Sequence, residues 1–207
     1  MNAMTTANAD VESGQERKAP GRPRNAQADE AILDAVLDML STCNSAAAIS
    51  IEAVAAKAGV GKATIYRRWP NKEALFLDAV RAMKGPLPEP KGESVRDDLI
   101  MLSKANRSSR YKRYGKVTAC LLPELLRDDE LRRLYQGVIE PRRDVTRGVL
   151  RRGIETGELR ADLDIELTVL MLSAPSMIQG MIPGPTVPDE GFSEALVDAV
   201  LRGAAAR

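Results

Sequence analysis

The chain has 207 residues, room for a small domain and a larger one with a core each, and its 30 Lys and Arg against 29 Asp and Glu leave a net charge of +1, so any attraction to nucleic acid must be local. It has no histidine, which removes His-ligated metal sites and imidazole general bases; with no paired carboxylates, nucleophile–base pair or metal-ligand spacing, an enzyme, a cofactor and a bound metal are not expected. No uncharged apolar run approaches the ~20 residues of a membrane span, and two widely spaced cysteines, Cys43 and Cys120, without a signal peptide read as separate thiols in a reducing cytoplasm.

Met1 to Ala19 lacks periodicity and has the composition of a disordered tail. Lys18, Arg22 and Arg24, interrupted by Pro20 and Pro23, then form an extended basic arm, either solvated or laid along phosphates or a minor groove; tail and arm together span 1–24. A first domain follows over 25–84. From Ala28 to Ser41, Ile32, Ala35, Val36 and Met39 recur at helical spacing with Asp29, Asp34 and Asp38 on the polar side. After a linker at 42–49, Ser50 is the expected N-cap of a short helix to Ala58, with Ile51, Val54 and Ala55 as its apolar positions. A turn through Gly59, Val60 and Gly61 leads to a second short helix, Lys62 to Arg68, ended by Pro70. Two short helices about such a turn are the signature of a helix-turn-helix, although all-α proteins that bind no DNA also contain the pair.

Ile65 and Trp69 lie four apart and share the inward face of the second short helix. Steps of ~100° per residue then point Ala63 and Arg67 outward, with Lys62 and Tyr66 on one edge and Thr64 and Arg68 on the other. No acid occurs from Lys57 to Lys72, which suits a phosphate-lined groove. Lys62 and Arg67 are the candidates for base edges and Ala63 for a thymine methyl. Thr64, Tyr66 and Lys72 are the candidates for phosphates, with Ser50 adding one at the start of its own helix and Arg22 and Arg24 from the arm.

Asn71 is the expected N-cap of the next helix, which sets Leu75, Phe76, Ala79 and Val80 on one face. The segment 85–92, GPLPEPKG, cannot continue a helix and is the expected linker to a second domain over 93–207. Helices are expected at 93–107, 117–126 and 128–156, the last restarting at Pro141 and carrying Arg143, Arg147 and Arg151 as an exposed stripe. The basic run between Lys104 and Lys116 reads either as wet surface or as a second anion contact. Residues 164–182 are apolar nearly all round and require cover on every side, and 192–206 form a last amphipathic helix. The fold class is all-α with about nine helices, and the last two are the expected interface of a C2 homodimer.

The stretch GVGKATIYRRWPNKEAL resembles the DNA-binding domain of the tetracycline-repressor (TetR) family of bacterial transcription regulators, through Gly59, Val60, Thr64, Ile65, Tyr66, Trp69, Lys72, Glu73 and Leu75. Family members usually have Ser or Thr where Gly61 stands, so this helix lacks a side-chain cap. The resemblance implies a homodimeric, sequence-specific regulator on a double-stranded palindromic operator, most simply a repressor released by a small apolar or amphipathic effector. It also implies that Lys72 reaches a phosphate. The second half resembles the family's effector domain only through its helix number and the GELRADLD turn. Met101, Tyr114, Cys120, Tyr135, Met171 and Met177 are candidate pocket lining, with ordinary core as the alternative for each. A DNA-binding regulator controlled by a protein partner, with no small-molecule effector, is the alternative function.

Overall fold

A computed structural model describes residues 24–107, 111–182, 188 and 190–204, so Arg22 and the rest of the tail lie outside the described residues. Among those described, the chain forms nine α-helices, one 3-10 turn and no strand, the all-α architecture expected. The first helix, α1 (Arg24–Thr42), begins earlier than the apolar spacing indicated, so Arg24 belongs to a helix and not to an extended arm. Pro23 stands just before it, a residue compatible with a helix start and not with a helix interior.

A 3-10 turn (Ala46–Ala48) follows, capped by Ser45. In α2 (Ile51–Ala58) the Ser50 hydroxyl accepts from the Ala53 N–H at 3.1 Å, and Gly59 closes the helix in the left-handed region, at φ 67°. Next comes α3 (Lys62–Tyr66), whose first residue follows Gly61 without a side-chain cap. Asn71 caps α4 (Lys72–Lys84) by accepting from the Ala74 N–H at 2.8 Å.

The second half comprises α5 (Val95–Asn106), α6 (Tyr111–Arg127), α7 (Asp129–Glu155), α8 (Ile165–Met181) and α9 (Phe192–Ala204). Two expectations are corrected here. The polar stretch before residue 117 is the first turn and more of one long α6, and α7 runs through Pro141 without restarting. Both helices tolerate a proline because packing outweighs the one backbone bond each proline removes: α6 buries Val117, Leu121 and Leu125, and α7 buries Leu131, Val138, Val149 and Leu150.

Two apolar cores result. The first joins α1 to α4 with α6 and the first half of α7, through Val117, Leu121, Leu125, Leu131 and Val138. The second gathers α5, the end of α7, α8 and α9 around Leu99, Val149, Leu150, Val169 and Val197. The linker at 85–92 therefore divides the chain but not the packing. Cys43 and Cys120, expected as separate thiols, form a disulfide between the end of α1 and the middle of α6, with Cα atoms 6.3 Å apart. Their separation of 77 residues concealed a contact that only the packing of α6 on α1 creates. The α6–α8 crossing is equally close: a Cβ on Gly115 would lie 2.0 Å from the Gly180 carbonyl carbon.

The apolar α8 is covered on only part of its circumference. Thr168, Val169 and Ser176 are buried, whereas Leu167, Leu170 and Ile182 are 53%, 52% and 59% exposed. The Arg stripe on α7 departs from expectation in the other direction. Arg147 keeps only 13% of its side chain exposed, because Glu140, Asp144 and Glu166 surround it at 2.9, 2.7 and 2.7 Å and hold its pKa above the ordinary arginine range. The same pairing lowers the Glu166 carboxyl.

Candidate nucleic-acid interface and effector pocket

The position of α3 follows from two anchors. Ile65 is fully buried and Trp69 nearly so, with the indole N–H donating to Asp78 on α4 at 2.9 Å. Arg68 adds an ion pair to Asp29 on α1 and donates to the Thr64 carbonyl. With that side fixed, Lys62, Ala63, Tyr66 and Arg67 all stand in solvent, Tyr66 at 53% exposure, and Thr64 is half-buried at the edge. Among the described residues nothing pairs with the Arg67 guanidinium.

Two of the proposed contacts have partners within the chain. Lys62 lies 3.0 Å from Glu52 on α2, and the pairing lowers the Glu52 carboxyl and raises the Lys62 ammonium. Glu52 lies one helix upstream of the acid-free stretch 57–72, and the packing of α3 on α2 brings it to Lys62. Lys72 turns back onto the 3-10 turn, 3.3 and 3.4 Å from the Ala46 and Ala47 carbonyls, and sits 5.6 Å from the Phe76 ring centre. An ammonium has three donors, so one remains for a phosphate. Ser50 accepts from the Ala53 N–H at the helix cap, and its hydroxyl also hydrogen-bonds the Glu52 carboxylate.

Beyond the disulfide, α6 is tied to the DNA-binding half twice. Glu124 accepts from the Ser45 hydroxyl at 2.8 Å and the Ala47 N–H at 3.0 Å, and Arg113 pairs with Asp38 on α1 at 2.5 Å. The basic run thus has a structural use at Arg113; Arg107, in the same run, donates to Gln179 at 2.7 Å and lies over the Phe192 ring.

A cavity of about 110 Å³ lies between α5, α6, α7, α8 and the end of α4. Tyr114 and Met177 line it, but Met101, Cys120, Tyr135 and Met171 do not. Cys120 is bonded to Cys43, Met171 points outward, Met101 packs on the second core, and Tyr135 packs on the first. The Tyr135 hydroxyl lies 2.8 Å from that of Tyr114, and burial raises the Tyr114 pKa well above the ordinary value.

Lys84, Arg142 and Arg143 also line the cavity, and the sequence did not single out the first two. Lys84 lies 3.8 Å from the Tyr114 ring centre, and burial together with Arg142 and Arg143 lowers its pKa to about 7. Arg142 donates to the Gly85 and Pro86 carbonyls at 2.7 and 2.9 Å and also contacts that of Lys84, closing the C-terminus of α4. Burial lowers its pKa too. The one available signal was the position of Lys84 against a proline-rich linker; its meeting with α7 depends on long-range packing.

Two family descriptions match the chain: "Bacterial regulatory proteins, tetR family" over residues 32–79 and "Tetracyclin repressor-like, C-terminal domain" over 89–200. The chain is 33% identical over 185 residues to YdeS, an HTH-type transcriptional regulator of Bacillus subtilis (strain 168), a match covering 86% of this chain and 91% of that one. Among solved structures, the TetR family transcription regulator SCO0332 is 30% identical with a TM-score of 0.56, covering 86% of this chain and 99% of its own. FadR from Bacillus subtilis, solved with stearoyl-CoA, is 21% identical with a TM-score of 0.61, covering 84% and 95%, a likeness of fold. The chain belongs to the TetR family and is a DNA-binding transcriptional regulator with a helix-turn-helix at α2 and α3. No helix among the described residues is long and apolar enough to cross a membrane.

Proposed function

We propose that the protein is a homodimeric repressor that grips a palindromic operator with two copies of α3 and lets go when a small apolar or amphipathic molecule fills the cavity behind α4. The observation that carries the reading is the two-sidedness of α3: Ile65 and Trp69 are locked inward while Ala63, Tyr66 and Arg67 face water. One five-residue helix reads too few bases alone. A dyad brings two of them onto half-sites about one turn, ~34 Å, apart. The uncovered Leu167 and Leu170 on α8, with Ile182 just past its end, support the dimer face there.

In this reading Arg67 and Lys62 contact base edges, Ala63 meets a thymine methyl, and Thr64, Tyr66, Lys72 and Ser50 hold phosphates. Arg22 of the arm and Arg24 at the start of α1 add contacts to the backbone or minor groove. The cavity, and the stearoyl-CoA held by the FadR neighbour, support an amphipathic effector. Operator and effector then oppose each other by a coupling of ~1–3 kcal/mol, equal in both directions. Selection of bound sequences from random duplexes is the test. A two-fold symmetric motif with half-sites one turn apart is expected, whereas a monomer at micromolar concentration without preference for any palindrome would remove the reading.

A further inference from the structure

The cavity lining holds three cations, Lys84, Arg142 and Arg143, and no carboxylate. Arg143 is matched by Glu140 at 2.9 Å, outside the lining. Among the described residues no ion pair reaches Lys84 or Arg142: one rests on the Tyr114 ring and the other on main-chain carbonyls. Two positive charges thus face one small space without a counter-charge, an arrangement that burial makes unfavourable until an anion arrives. Ser176 lines the same space, nine-tenths buried, and its hydroxyl has no hydrogen-bond partner. The remaining lining is largely aliphatic, from Leu99, Leu102, Val169 and Leu172.

We propose that the cavity is a binding site for a small amphiphilic acid anion, its head group between Lys84 and Arg142 and its apolar body against Leu99, Leu102, Val169 and Met177. This rests on reading the cavity as the effector site and assigns the effector its charge. Size favours a short body: at about 110 Å³ the space suits a short alkyl chain better than a long acyl chain. Carboxylate and phosphate monoester heads share this chemistry. An anion also offers Arg142 stronger acceptors than the Gly85 and Pro86 carbonyls it now holds. Drawing Arg142 away uncaps the end of α4, the helix whose Asp78 positions Trp69 behind the reading helix. Charge recognition and operator release become one event.

Calorimetric titration of the full chain below pH 7, where Lys84 is charged, with hexanoate, hexyl phosphate, 1-hexanol and hexylamine tests this, with the affinity for the selected operator measured in parallel. At least one anion should bind about tenfold or more tightly than both the alcohol and the amine, and the tighter anion identifies the head group. Lys84→Met should abolish most of that preference while leaving hexanol binding within about twofold, and Ser176→Ala should weaken the preferred anion by about two- to fivefold. Equal binding of alcohol and anions, no heat from either anion, or a preference that survives both Lys84→Met and Arg142→Met overturns the assignment. If hexanol binds better and releases operator, the effector reading stands and the anion is wrong. If an anion binds as expected and operator affinity does not change, the site stands and effector release is wrong.

Discussion

For the base contacts proposed above, Arg67 and Lys62 differ in what each gives up. Arg67 has no partner among the described residues, so Arg67→Ala removes a contact and nothing else; a loss of about 1–3 kcal/mol with blurred preference at one base pair is expected in competition binding. Lys62 has to leave Glu52, and Glu52→Gln should therefore tighten operator binding, since it releases the ammonium and removes a negative charge near the phosphates. Lys72→Ala should weaken all sequences alike and lower the salt slope by about one unit. An unchanged slope with reduced thermal stability would assign Lys72 to holding the 3-10 turn alone. Lys84 gives the molecule a pH signature. Its folded pKa, about 7, lies below the unfolded lysine value, so the unfolded state binds more protons between pH 7 and about 10 and stability rises with pH across that window. The neighbours responsible are Arg142 and Arg143 on α7, with Tyr114 on α6 beneath the ammonium. Denaturant titrations at several pH values should show the rise, and Lys84→Met should flatten it.

At the scale of the element, α6 is the member that both halves share. One of its faces meets the cavity at Tyr114, and others reach the DNA-binding half through Arg113, Cys120 and Glu124. Its position is set by the Gly115 crossing, where even a methyl group would overlap the backbone of α8. Gly115→Ala should destabilise the fold by about 1–3 kcal/mol in urea titration, despite alanine's better helix propensity, because backbone atoms and not a flexible side chain occupy the space. A gain in stability would mean that the two helices are further apart. The length of α6 was illegible in the sequence for a physical reason: Pro123 and a polar first half argue locally against one helix, and only burial of Val117, Leu121 and Leu125 decides otherwise.

For the whole molecule, the helix-turn-helix was legible because its determinants are local: the Ser50 and Asn71 caps, the Gly59 turn, and Ile65 and Trp69 four apart. The cavity was not, because Lys84 and Arg142 stand 58 residues apart and meet only through the crossing of α4 and α7. The uncovered side of α8 gives the assembly its test. Leu167→Glu should yield monomers in light scattering and abolish operator binding without unfolding the chain, as it charges a side chain already in solvent and outside the cavity lining. The Cys43–Cys120 bond has a consequence of its own, since it spans the loop at 85–92. A protease that cuts once after Lys91 would sever the main chain yet leave both pieces travelling together on a gel until reductant is added. Such a clipped molecule would keep the apolar core and polar contacts between its two pieces, with sulfur as their one remaining covalent link.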